Sequence, residues 1–154
     1  MEISDLIGPG DVVPALRVTS KKQVLQEIAR KAAARSGHPE RAIFDVLLER
    51  ERLGSTGVGN GIAIPHGKMA SLESLCGLFI RLDAPVDFDS IDDEPVDLIF
   101  LLLAPENAGA DHLKALARVS RLLRDRGICE KLRGTDTAEA LYALLTQSQT
   151  TQAA

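Results

Sequence analysis

The 154 residues hold three histidines, and one of them, His66, is the penultimate residue of the stretch GSTGVGNGIAIPHG at residues 54–67. A neutral imidazole is a nucleophile near pH 7 without a separate base, because its ordinary pKa is about 6.5. One ring nitrogen attacks, and the other must be held as N–H by a carbonyl or carboxylate, which sets the tautomer. Pro65 restricts the backbone just before His66, and Gly67 follows it. The histidine is therefore expected at the end of a short strand, where loop-borne chemistry concentrates. A phosphoryl group on the attacking nitrogen would carry charge on three oxygens, and an arginine fork answers that demand. Upstream, Gly54, Gly57, Gly59 and Gly61 permit positive φ and close approach of the backbone to another group. Successive N–H groups there, at Gly57 and Gly59 among others, can form an anion-binding concavity, with Ser55 and Thr56 adding hydroxyl donors. Taken alone, the glycines read better as a flexible turn between helix and strand. They do not form a P-loop, since GxxxxGK[ST] is absent.

The elements that must position these residues follow from pattern. Val12 to Val18 reads as a first strand. SKKQ, from Ser20, has capping-box form, with Gln23 reaching back. Val24, Leu25, Ile28 and Ala32 then make one apolar stripe, and Gly37 ends that helix. A second helix starts near Pro39, buries Ile43, Phe44, Leu47 and Leu48, and stops at Gly54, which leaves Arg50 and Arg52 at its C-terminal end. The glycines exclude helix and strand until the short strand IAI at Ile62. GLFIRL, from Gly77, alternates like a half-buried strand with Leu78, Ile80 and Leu82 on one face. VDLIFLLLAP, from Val96, is apolar throughout and reads as a central strand. Asp111 is expected to cap a helix that buries Leu113, Leu116, Val119, Leu122 and Leu123 and ends at Gly127. A short helical turn, CEKLRG, and a last helix from Asp136 through Leu145 complete the chain. The expected fold class is α/β, a small sheet with helices on both faces, in one domain over residues 1–147 with a disordered polar tail at 148–154.

Composition narrows the function. The net charge is -4, from 18 basic and 22 acidic residues, which argues against sequence-independent nucleic-acid binding. Aromatics are 3% and tryptophan is absent, so the core is aliphatic and base-stacking platforms are not expected. Cys76 and Cys129 have no CxxC spacing and read as reduced thiols of a cytoplasmic protein. No signal peptide is expected from MEISDLIGPGDVV, and no apolar run is long enough to insert in a membrane. Between Asp83 and Asp97 seven acidic residues fall in fifteen, interleaved with Val86, Phe88 and Ile91. A solvated loop before the central strand is the expected structure, with attraction of a basic carrier as a further use.

RERLGSTGVGNGIAIPHGK, Arg50 to Lys68, resembles the active-site motif of phosphotransferase-system enzyme IIA domains of the fructose/mannitol/nitrogen-regulatory type. FDSIDDEPVDLIFLLLAP, from Phe88, and DHLKALARVSRLL, from Asp111, resemble further blocks of that family, so the likeness covers the middle and much of the C-terminal half. It implies a three-layer α/β/α sandwich with a mixed sheet. It places His66 at the position of the phosphorylated histidine, Arg50 at that of the arginine that steadies the phosphoryl oxygens, and His112 at that of a second histidine beside the first. Val58 stands where many relatives carry isoleucine. Cys76 does not resemble a IIB phosphocysteine site. With no linked IIB domain or membrane-spanning IIC segment, the chain is most similar to the nitrogen-regulatory branch. That branch implies a transferase-class phosphoprotein that takes phosphate from an HPr-like carrier, NPr, and regulates target proteins. A sugar-transport IIA served by HPr is the alternative.

Two readings of other classes compete. A binding module that never carries phosphate could dispense with Arg50, His66 or His112, and all three are present. A zinc hydrolase using His66, His112 and Asp111 lacks HExxH or any metal-spaced pair, so neither a metal nor another cofactor is expected. His38 reads as a helix-start residue, and Arg52 and Lys68 as electrostatic neighbours of the site. The sequence leaves monomer and homodimer open.

Overall fold

The computed structural model describes the backbone of residues 1–153 and the side chains of residues 1–147. Six strands form one mixed sheet: β1 (Val12–Leu16), β2 (Gly57–Gly59), β3 (Ile62–Ala63), β4 (His66–Met69), β5 (Cys76–Val86) and β6 (Val96–Pro105). The order is β1-β5-β6-β3-β2, and β4 pairs with β6 beyond β3. β1 runs parallel to β5, and β3 and β4 parallel to β6, whereas β5–β6 and β2–β3 are antiparallel. Five helices cover the sheet: α1 (Lys21–Ser36), α2 (Glu40–Arg52), α3 (Ala110–Leu123), α4 (Arg126–Arg133) and α5 (Ala138–Ala153).

β6 explains the layering. Its odd residues Ile99, Leu101 and Leu103 join the core beneath α1 and α2, and its even residues Leu98, Phe100 and Leu102 join the core beneath α3, α4 and α5. A strand alternates its side chains between faces, so an unbroken apolar run can feed two cores. β5 does the same, sending Leu78, Ile80 and Leu82 to one core and Phe79 to the other. It is thus buried on both faces rather than half-buried.

Other expectations need local correction. Ser20 caps α1 through the Gln23 N–H at 3.2 Å, but the Gln23 side chain accepts from the N–H and hydroxyl of Thr19, not from Ser20. Asp111 lies inside the first turn of α3. The N-cap is Gly109, whose φ of 54° favours glycine. The buried face of α3 is His112, Ala115, Val119, Leu122 and Leu123, and Leu113 is 67% exposed. α3 ends at Leu123, with α4 as a separate helix capped by Asp125. α5 continues past Leu145 to Ala153, and the tail expected at 148–154 falls outside the described side chains. Phe88 and Ser90 of the acidic segment are buried, so it is anchored rather than freely solvated.

Candidate functional site

The glycine-rich stretch is a hairpin, not a featureless loop. Gly59 pairs with Ile62, and the two residues between them, Asn60 and Gly61, have φ of 57° and 80°. A two-residue turn with both φ positive is what Asn-Gly favours between antiparallel strands. That dipeptide was the sequence signal for β2, and the surrounding glycines obscured it. Asp92 Oδ2 accepts from the Asn60 N–H at 2.9 Å, and the Asn60 carbonyl accepts from Arg133 at 2.7 Å. The hairpin tip is therefore fastened from two sides.

The hairpin fixes Ile64, and Ile64 fixes His66. The Thr56 carbonyl accepts the Ile64 N–H at 2.9 Å, which extends the β2–β3 ladder by one rung. Pro65 then interrupts pairing. His66 opens β4 opposite Leu102, so it begins a strand instead of following one. Its Nδ1 lies 2.8 Å from the Ile64 carbonyl. A carbonyl can only accept, so Nδ1 carries the proton and Nε2 has the lone pair. Arg50 Nε donates to that Nε2 at 3.2 Å, while Arg50 Nη1 donates to the Gly54 carbonyl at 2.9 Å. Burial pushes the His66 pKa down. The Ile64 bond opposes that, and the positive charge of Arg50 reinforces it. The half-buried ring is thereby favoured in its neutral form, with the Nε2 lone pair available for chemistry.

His112 comes from the opposite side of the sheet edge. α3 brings its ring to 5.8 Å from the His66 ring, centroid to centroid, with the planes tilted by 50°. It is 6% exposed, and its Nδ1 is buried without a hydrogen-bond partner among the described residues. Burial lowers its pKa, followed by the nearby His66 and Lys68. The fold thus gathers Arg50, His66 and His112 from α2, β4 and α3.

The remaining sequence candidates serve the frame. Ser55 Oγ accepts from the Gly57 N–H at 2.9 Å and donates to the Phe88 carbonyl at 2.8 Å. Thr56 is buried, and both its N–H and its hydroxyl are taken by the Glu51 carboxylate. Gly57 and Gly59 lie in β2, and a methyl on Gly57 would collide with the Ser90 hydroxyl. Arg52 pairs with Glu49 at 2.7 Å, and His38 shares a hydrogen bond with Ser71. Glu51, which the sequence reading passed over, is the buried charge beside Arg50.

Comparison with known proteins places the chain in a family. Residues 6–148 match the family described as the phosphoenolpyruvate-dependent sugar phosphotransferase system, EIIA 2. A nitrogen regulatory protein of Bradyrhizobium diazoefficiens is 62% identical over 145 residues, covering 94% of this chain and 95% of that protein. One from Escherichia coli K12 is 43% identical over 153 residues, covering 98% and 93%. The crystal structure of nitrogen regulatory protein IIA-Ntr from Neisseria meningitidis superposes with a TM-score of 0.89 at 39% identity, covering 94% of this chain and 99% of that one. The chain belongs to the EIIA type-2 family of the phosphoenolpyruvate-dependent sugar phosphotransferase system and is similar over nearly its whole length to that family's nitrogen regulatory proteins.

Proposed function

We propose that this protein is a cytoplasmic nitrogen-regulatory IIA protein that accepts a phosphoryl group on His66 from the HPr-like carrier NPr and controls partner proteins by its phosphorylation state. The observation that carries the reading is the pairing at one ring: Nδ1–H is held by the Ile64 carbonyl while Nε2 faces the Arg50 guanidinium. The names of its relatives favour regulation over sugar uptake. No helix among the described residues is long and apolar enough to cross a membrane.

The chemistry follows from the tautomer. Nε2 attacks phosphorus, the bond from phosphorus to the carrier's histidine nitrogen breaks, and that nitrogen keeps the electron pair. The proton on Nδ1 need not move. The positive charge that develops on the ring is stabilised by the Ile64 carbonyl, and Arg50 turns its N–H groups from Nε2 to the phosphoryl oxygens. His112 is close enough to the ring to supply a donor from the other side. The phosphate adds about -1.5 to -2 charges at one surface point, so a partner docked there is repelled. Relatively few kcal/mol of differential affinity, about 5.5 for a shift from 1:99 to 99:1, convert it from bound to free.

Intact-mass measurement after incubation with phosphoenolpyruvate, an enzyme I-type kinase and either NPr or HPr tests the assignment. One acid-labile phosphate on the wild type, none on His66→Ala, and faster transfer from NPr are expected. Full phosphorylation of His66→Ala would refute the site, and preference for HPr would favour the sugar-transport branch.

A further inference from the structure

Behind the hairpin lies a buried carboxylate that this chemistry does not use. Glu51 is 8% exposed and precedes the glycine-rich stretch by only a few residues. Its oxygens collect three donors. The Thr56 N–H lies 3.1 and 2.9 Å from Oε1 and Oε2, the Thr56 hydroxyl donates to Oε2, and Lys21 Nζ stands 2.8 Å from Oε1. Lys21 is the first residue of α1; its ammonium also lies 3.7 Å from Asp89 Oδ2 and over the Phe88 ring at 5.1 Å. A buried ion pair is weak as a source of stability, because desolvation consumes most of the attraction. A carboxylate kept there is better explained by what it holds.

What it holds leads to the nucleophile. Glu51 binds both donors of Thr56, the Thr56 carbonyl receives the Ile64 N–H at 2.9 Å, and the Ile64 carbonyl receives His66 Nδ1–H at 2.8 Å. His66 Nε2 in turn receives Arg50 Nε–H at 3.2 Å, and Arg50 is the neighbour of Glu51 on α2. The path closes on itself: α2 grips both ends of the segment that carries His66, one through a carboxylate and one through a guanidinium. We propose that Glu51, braced by Lys21, is a positioning residue that sets the Ile64 carbonyl and through it the tautomer and orientation of His66. For its kinetic consequence the inference rests on phosphoryl transfer to His66; the structural part does not.

The test combines side-chain ¹⁵N NMR of His66, recorded near pH 8 where the ring is neutral, with steady-state transfer from the carrier. Wild-type protein should show one protonated and one unprotonated ring nitrogen. In Glu51→Gln one acceptor becomes a donor facing donors. The two ring signals should move toward each other as the tautomers mix, and turnover should fall about 10- to 100-fold, the scale seen when a group that orients a metal-binding histidine is lost. KM for the carrier should not change, since Glu51 is buried. Thr56→Val should act in the same direction and Thr56→Ser should restore the wild-type values, which decides the matter if Glu51→Gln does not fold. Wild-type tautomer and turnover in folded Glu51→Gln, or in Thr56→Val, would overturn the proposal. If the wild type takes no phosphate, the functional reading fails, and the ring signals still decide the positioning role.

Discussion

The two histidines at the sheet edge are held by different means. His66 has both ring nitrogens engaged, one by a strand carbonyl and one by Arg50. His112 is more deeply buried, yet its Nδ1 has no partner among the described residues. A buried polar atom without a hydrogen bond costs about 1–3 kcal/mol. On the hairpin side, backbone ladders and a buried carboxylate fix geometry before any ligand arrives. On the helix side, packing alone holds a ring with unused hydrogen-bonding capacity. Under the proposed phosphoryl transfer, the contrast suits a division in which one imidazole would react from a preset pose and the other would gain a bond to the phosphoryl group.

The sharpest way to break that comparison is at Arg50. Lysine keeps the charge and loses the planar fork that can bond Nε2 and the Gly54 carbonyl together. Removing one donor from a site that stabilises developing anionic charge costs about 100- to 1,000-fold in rate. Arg50→Lys should lie near the lower end, with an unchanged circular-dichroism spectrum, as followed by rapid-quench phosphorylation. A rate equal to wild type would mean that the guanidinium contact at 3.2 Å has no part in transfer.

His112 should matter less. A helper that strengthens one hydrogen bond to the phosphoryl group is worth about tenfold, since a charged hydrogen bond contributes roughly 1.5–3 kcal/mol and part of it is recovered by water. His112→Ala should remain phosphorylated on His66, more slowly, with one phosphate per chain by intact mass. Two phosphates on the wild type would show that the helix-side ring is itself an acceptor.

Stability separates the same two sides. Gly57 approaches the buried Ser90 so closely that a methyl meets its hydroxyl, whereas Leu113 projects into solvent beside His112. Gly57→Ala should cost about 1–3 kcal/mol by overpacking. Ser90→Ala should relieve part of it, because it removes the colliding oxygen. Leu113→Ala should change stability by no more than about 0.5 kcal/mol. Urea titration of the four proteins checks the set, and a large loss at Leu113 would mean that α3 is rotated from the arrangement described.

These contrasts show what the sequence could carry. The two-sided core was legible in the run of β6, because a continuous apolar strand needs cover on both faces. His66 was legible because proline and glycine bracket it at a strand boundary. The meeting of His112 with His66 was not, since α3 reaches the site only through the antiparallel return of β6 and the turn at Gly109; family resemblance supplied it. Leu113 was misplaced because Leu113, Leu116 and Val119 fit a helical stripe as well as the observed face does. Glu51 escaped notice for a physical reason: in ERERLG it looks like one more charge on a solvated helix end, and only the hairpin folding over it makes it a buried anchor.

The smallest expected effect is a pH dependence that adds the two rings together. Burial first holds both imidazoles below their ordinary pKa of 6.5, reinforced at His66 by the charge of Arg50 against the opposing Ile64 bond and at His112 by the nearby His66 and Lys68. In the unfolded chain each ring takes up its proton near that ordinary value, while in the folded protein each resists to lower pH. Below pH 6.5 the unfolded state therefore binds more protons, and stability falls with pH until the folded-state values are passed; below those values both states are protonated, well above 6.5 both are neutral, and in neither range do the rings contribute a slope. Urea midpoints measured from pH 7.5 down to 5.5 should decline, and the double variant His66→Gln/His112→Gln should decline less. Transfer should behave oppositely to a histidine of ordinary pKa, with the rate holding its plateau below pH 6.5 because Nε2 keeps its lone pair there. Equal slopes for wild type and double variant would remove the two rings from the stability profile. A rate that halves at the ordinary value of 6.5 would show that burial and the charge of Arg50 do not hold the reacting ring neutral.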